Sequence, residues 1–87
     1  MDITDVRIFP VSGSSNLKAF ASLTLEDSFV VRGIKVIEGK NGLFASMPDR
    51  EWKGSYYDVC FPVTNTLRED IQKQVLNGFN RASEKTG

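Results

Sequence analysis

The chain has no histidine, a single cysteine, three prolines and no excess of either charge. Without histidine it lacks the one side chain that normally titrates near neutral pH, and with it the usual general base and the commonest metal ligand. Ser-His-Asp and Cys-His nucleophiles are excluded on the same ground. Cys60 has no partner for an internal disulfide and no Cys or His companions for a zinc site. One unpaired thiol fits a reducing compartment. No window approaches the ~18 continuous apolar residues of a spanning helix. The opening Met1-Asp2-Ile3-Thr4-Asp5 is acidic where a secretory signal needs a basic stretch. Eleven Lys and Arg balance eleven Asp and Glu, so any basic footprint for nucleic acid or an anionic membrane must be local. No cofactor motif is present. These absences predict a cytoplasmic protein that is not an enzyme and has no cofactor, no metal, no small-molecule substrate and no membrane partner.

What is present is an ordinary folded composition, 40% apolar and 25% charged over 87 residues, which argues for one domain spanning residues 1–87, frayed from about residue 82. Ile3 to Phe9 reads as a strand with Thr4, Val6 and Ile8 on one face. Pro10 ends it, and Val11 to Asn16 form a polar loop. Leu17 to Leu25 alternates most clearly, with Leu17, Ala19, Ala21, Leu23 and Leu25 on one face and Lys18, Phe20, Ser22 and Thr24 on the other. Phe29 to Ile37 is rich in β-branched residues, and Gly33 inside it marks a bulge or bend. Asn41-Gly42 is a hairpin signal because both residues tolerate positive φ. Leu43 to Met47 return as a short strand before Pro48. Asp49 to Ser55 reads as a connection or a brief helical turn. Tyr56 to Val63 forms another strand, with Tyr57, Val59, Phe61 and Val63 on one side and Pro62 confining its end to an edge.

The period then changes. Leu67, Ile71, Val75 and Phe79 step by four, with Leu76 beside them, which is the stripe of an amphipathic helix. Thr66-Leu67-Arg68-Glu69 fits a capping box, and Thr64 is the rival cap. Gly78 weakens the last turns. Strands first and a helix last predict an α+β fold: a small, mostly antiparallel sheet of about five strands with the C-terminal helix packed on it.

Three segments, ASLTLEDSFVVRGIKVIEGKNGLF at 21–44, GLFASMPDR at 42–50 and YYDVCFPVTNTLREDIQ at 56–72, resemble the stage V sporulation protein G family of bacterial septation proteins. ITDVRIFPV at the start is similar too, so the resemblance runs from Ile3 to Phe79. It implies a small cytoplasmic regulator that associates as a homodimer through its sheet and binds DNA or RNA. The family name implies an effect on asymmetric septum formation, and so on cell division and sporulation. In the family, the link after Met-Pro often carries several basic residues, whereas here it holds Arg50 and Lys53 against Asp49 and Glu51.

On that basis the nucleic-acid-binding candidates are Arg50, Trp52, Lys53 and Tyr56, with Lys73 and Arg81 on the helix. Cations neutralise phosphates, while aromatic faces stack on unpaired bases. Trp52 and Tyr57 have a second reading, as plugs of the small core or of a contact between copies. Lys73, Arg81 and Lys85 share about a third of the helix circumference, yet Asp70 and Glu84 lie among them, as on any solvated helix face. Ser12 to Ser15 lacks the end of a phosphate-binding loop and reads as a flexible hairpin connection. Glu38 organises a turn, and Cys60 reads as a small inward hydrophobe. The alternative function is a protein-interaction module of septation that works through an exposed sheet edge or aromatic patch.

Overall fold

The structure is a computed structural model that describes residues 2–13 and 15–85, the last three by their backbone alone. Its elements in chain order are β1 (Ile3–Pro10), β2 (Leu17–Leu25), β3 (Phe29–Gly39), β4 (Gly42–Ser46), β5 (Asp49–Trp52), β6 (Ser55–Asp58) and α1 (Asn65–Lys85). The first four strands form one antiparallel sheet in the order β1-β2-β3-β4, and β5 and β6 form a separate two-stranded hairpin. The α+β expectation therefore holds, with the strands divided between two sheets. Met1, Ser14, Thr86 and Gly87 lie outside the described residues, and so do the side chains of Glu84 and Lys85.

Alternation decides what is buried. On β2, Ala19, Ala21, Leu23 and Leu25 point inward, matched by Val31, Ile34 and Val36 on β3 and Ala45 on β4. Ile71 and Val75 of α1 close over them, and Leu67, Leu76 and Phe79 pack at the margin. The helical stripe thus does what its period predicts. Three irregularities interrupt the register. The one between Leu17 and Ala19 sets Leu17 opposite Ile37, so it does not join Ala19 and Ala21 in the core as the alternation predicts. Arg32 and Gly33 oppose Ser22 alone, and Gly33 takes φ +81°, so the expected bulge is present. A register shift between Ile3 and Asp5 turns Ile3, rather than Thr4, to the core beside Val6 and Ile8. The freed Thr4 hydroxyl accepts from the Asp27 amide at 3.0 Å and donates to the Thr24 carbonyl at 3.3 Å.

Three further expectations are corrected. Residues 49–55 are not a helical turn. Lys53 (φ +51°) and Gly54 (φ +81°) instead form the two-residue turn that joins β5 to β6. The Asn41-Gly42 hairpin is real but turns one residue earlier: Gly39 pairs with Gly42, and Lys40-Asn41 are the connecting pair. The strand from Tyr56 stops at Asp58, after which Pro62 is buried and Cys60 half-buried, while Val59, Phe61 and Val63 face out. Pro62 cannot donate to a ladder, and its ring serves better as core than as strand.

α1 is positioned by specific contacts. Thr64 Oγ1 accepts from the Leu67 amide at 3.2 Å, so Thr64 is the cap and the Thr66 box is not used. Gly78 lets the helix lie close to β1: a Cβ there would stand 3.2 Å from Val6 Cγ1 and 3.3 Å from Ile8 Cγ1. At the other side, the Gln72 amide clasps the backbone of Ala45. Its Oε1 accepts from the Ala45 amide at 2.8 Å, and its Nε2 donates to the Ala45 carbonyl at 2.6 Å. β4 is an edge strand, so Gln72 satisfies groups that no neighbouring strand reaches.

Two stability predictions follow from these contacts. Gly78→Val should destabilise by about 1–3 kcal/mol through overpacking against β1, and by more than Gly78→Ala, even though both gain helix propensity. Thermal unfolding of the two variants compares them directly. Gln72→Leu should cost about 1–3 kcal/mol by leaving the Ala45 groups unpaired at a half-buried position, as measured by urea unfolding.

Candidate functional site

The β5–β6 hairpin gathers most of the predicted site residues. In its register Asp49 faces Asp58, Arg50 faces Tyr57, Glu51 faces Tyr56 and Trp52 faces Ser55. Directly opposed residues share a face, and successive residues alternate. One face therefore carries Arg50, Trp52, Tyr57 and Ser55, and the other carries Asp49, Glu51, Tyr56 and Asp58. Charges that cancel along the sequence are sorted by strand periodicity into a cationic aromatic face and an acidic one.

Lys53 at the turn completes the first face: its ammonium stands 5.8 Å from the centre of the Trp52 ring. Trp52 is 58% exposed and Tyr57 56%, so neither plugs the core of the protomer. Tyr56, grouped with Trp52 on sequence, falls on the acidic face instead, and Tyr57 takes its place. That exchange was hidden because a four-residue strand with both faces exposed has no apolar alternation to set its phase. The one available signal was Lys53-Gly54, a pair suited to a tight hairpin.

The hairpin stands away from the main sheet and is tied to it at its base. Lys35 on β3 pairs with Asp49 at 3.4 Å, while the Val59 amide, donating to the Pro48 carbonyl at 2.7 Å, closes the base of the hairpin itself. Lys73 and Arg81 lie elsewhere. Both are exposed on α1, which packs on the inner face of the sheet, whereas Lys35 belongs to the outer face. Lys73 lines a depression with Thr64, Glu69 and Asp70, so two acidic residues share its surface. Arg81 lines another with Thr4, Asp5 and Gln74 beside β1. Within one protomer these two cations are not joined to the hairpin patch.

Sequence reasoning missed a second surface. The outer face of the main sheet is not covered by α1, and it displays Phe9, Phe20 and Phe44 among polar side chains. Phe20 on the polar side of the clearest strand was its visible trace. Among the described residues no group of His, Cys, Asp and Glu is arranged to hold a metal ion, and no helix is long and apolar enough to cross a membrane.

Comparison with known proteins gives a consistent result. The SpoVG family model matches residues 1–81. A Clostridium perfringens protein named "Putative septation protein SpoVG" is 46% identical over 82 residues, covering 93% of this chain and 91% of its own length. Proteins of the same name from Clostridium botulinum and Clostridium novyi are 44% identical over 86 residues and 42% over 87. The alignments cover 98% and 99% of this chain, and 94% and 87% of those proteins.

Trp52 is the sole tryptophan and therefore reports on the hairpin directly. Its fluorescence should show the red-shifted emission and efficient acrylamide quenching of a solvated indole at low protein concentration. Blue-shifted emission resistant to quencher would mean that a second copy covers the ring.

Proposed function

Because the chain belongs to the SpoVG family, we propose that it is a bacterial regulator of septation and sporulation that binds DNA or RNA as a homodimer. The septation name of its relatives supports the cellular role. The observation that carries the molecular reading is the sorted hairpin, on which Arg50, Lys53, Trp52 and Tyr57 share one surface clear of the neighbouring carboxylates. Cations there neutralise phosphates while the rings stack on exposed bases. Chemistry of this kind requires positioning alone, so the reading is non-enzymatic.

Pairing of two copies gives the small patch its reach. One protomer offers two hairpin cations, and a dimer offers four, the second set acting at high effective concentration once the first has bound. Of the two sheet edges, β1 supports pairing better. No strand lies beyond it, whereas Gln72 occupies the middle of the β4 edge. Lys73 and Arg81 assist only if dimerisation or the path of the nucleic acid brings them alongside the hairpins.

A second reading has its own observation. Leu25, Phe29, Phe61, Val63 and Leu67 line an apolar groove where the sheet meets the start of α1, and Val63 is 86% exposed. Such a groove suits a protein partner in the septation machinery better than a polyanion.

Titration against DNA and RNA over a salt series separates the readings. Log K should fall linearly with log salt, and Arg50→Ala with Lys53→Ala should flatten the slope by about 0.7–0.9 for each phosphate no longer neutralised. No binding at low salt, with the double variant folded and still able to capture a septation partner, would favour the protein-interaction reading.

A further inference from the structure

We propose that the open outer face of the four-stranded sheet is a stacking platform for the unpaired bases of a single-stranded nucleic acid. The proposal rests on the nucleic-acid reading above but places the contact on a surface distinct from the hairpin.

Three observations converge on this face. The first is aromatic placement. Phe9 on β1 sits directly opposite Phe20 on β2, so their rings share the outer face. Phe44 on β4 belongs to the same face, opposite Ile37 and two strands from Phe20, a separation on the order of 10 Å. Phe9 is 55% exposed, Phe44 43% and Phe20 39%. Half of the six phenylalanines of a small chain are thus left in water on the one face that α1 does not cover.

The second is charge. Arg7 and Arg32 flank the aromatic row and line one shallow depression with Phe9, Ser22 and Val30. Asp5, which pairs with Arg7 at 3.1 Å, lies in the same depression. Lys35 stands opposite Phe20, with Asp49 as its partner. Arg7 and Lys35 are each paired with a carboxylate, so the face carries a surplus of one positive charge, that of Arg32. On a chain whose total charge is zero, this favours a polyanion over a polycation.

The third is texture. Ser22, Thr24 and Ser46 stand beside the rings on this face, together with Leu17, Val30 and Ile37. A face on which hydroxyls and charges border the apolar groups offers less of the continuous dry core that a stable protein interface requires. Solvent-exposed rings do suit unpaired bases. A duplex keeps its bases stacked internally and cannot use such rings, so the platform selects single strands.

The test uses the full chain, fluorescent oligo(dT) and oligo(rU), and a blunt duplex of equal length. The wild type should bind the single strands more tightly than the duplex. Phe9→Leu with Phe20→Leu keeps the apolar bulk and removes the rings. It should weaken single-strand binding about fivefold to a hundredfold per base unstacked, with little change on the duplex. Unchanged single-strand affinity in the folded variant overturns the platform and leaves the hairpin reading standing. If size-exclusion chromatography then shows that the variant has lost its partner copy, the face is a contact between copies. Wild-type protein that binds neither probe at low salt removes both readings. Should the double variant fail to fold, photocrosslinking the wild type to a 5-iodouracil oligonucleotide still decides: adducts on Phe9, Phe20 or Phe44 support the platform, and adducts confined to Trp52 and Tyr57 overturn it.

Discussion

One helix must serve four strands. α1 lays Ile71 and Val75 onto an inner face that includes Ala19, Ala21 and Ala45, small residues that let the helix come close. The core that results is thin. Among the described residues Leu23, Ile34, Val36 and Val75 are the only large side chains buried almost completely, so each carries a large share of the burial that holds the domain together. The close approach at Gly78 and the Gln72 clasp fix the helix at two points along its length. A single covering element also leaves everything beyond the inner face in water: the second face of the sheet, the hairpin and the groove at the start of α1.

That exposure is what gives a neutral chain the means to bind. Net charge is a sum over the molecule, whereas recognition depends on which charges share a surface. Strand alternation is a strong sorting device because its period of two separates every adjacent pair. In Asp49-Arg50-Glu51-Trp52 it sends the acids one way and the cation and the indole the other. The turn then holds Lys53 over the ring. A helix carrying the same residues would mix them, as α1 does around Lys73, where Glu69 and Asp70 share its depression.

The elements with a buried side were legible from sequence. β2, β3 and α1 announced themselves because burial imposes a period, and Gly33 marked its bulge because few residues adopt its backbone angle. Where burial stops, so does the signal. β5 and β6 have almost no inward face, so their phase could not be set and Tyr56 was placed with the wrong neighbours. Thr64 and Thr66 are equally good caps by type, and only the docking of the helix chooses between them. The segment from Val59 to Val63 alternates like a strand, yet Pro62 is the residue that goes inward. The outer-face phenylalanines could be seen one at a time, but their grouping depends on strand order and register, which lie beyond local pattern.

The clasp between Gln72 and Ala45 has a consequence for the order of events during synthesis. The four strands leave the ribosome before the helix does, so the sheet can be assembled while its β4 margin is still bare. Until residue 72 arrives, the donor and acceptor of Ala45 are available to any extended segment nearby, including the same strand of another nascent chain. The side-chain amide then occupies that margin as a one-residue surrogate strand. Helix arrival thus closes the β4 margin and leaves β1 as the one edge of the main sheet still open to another strand, so the last quarter of the polypeptide decides which margin a second chain can reach.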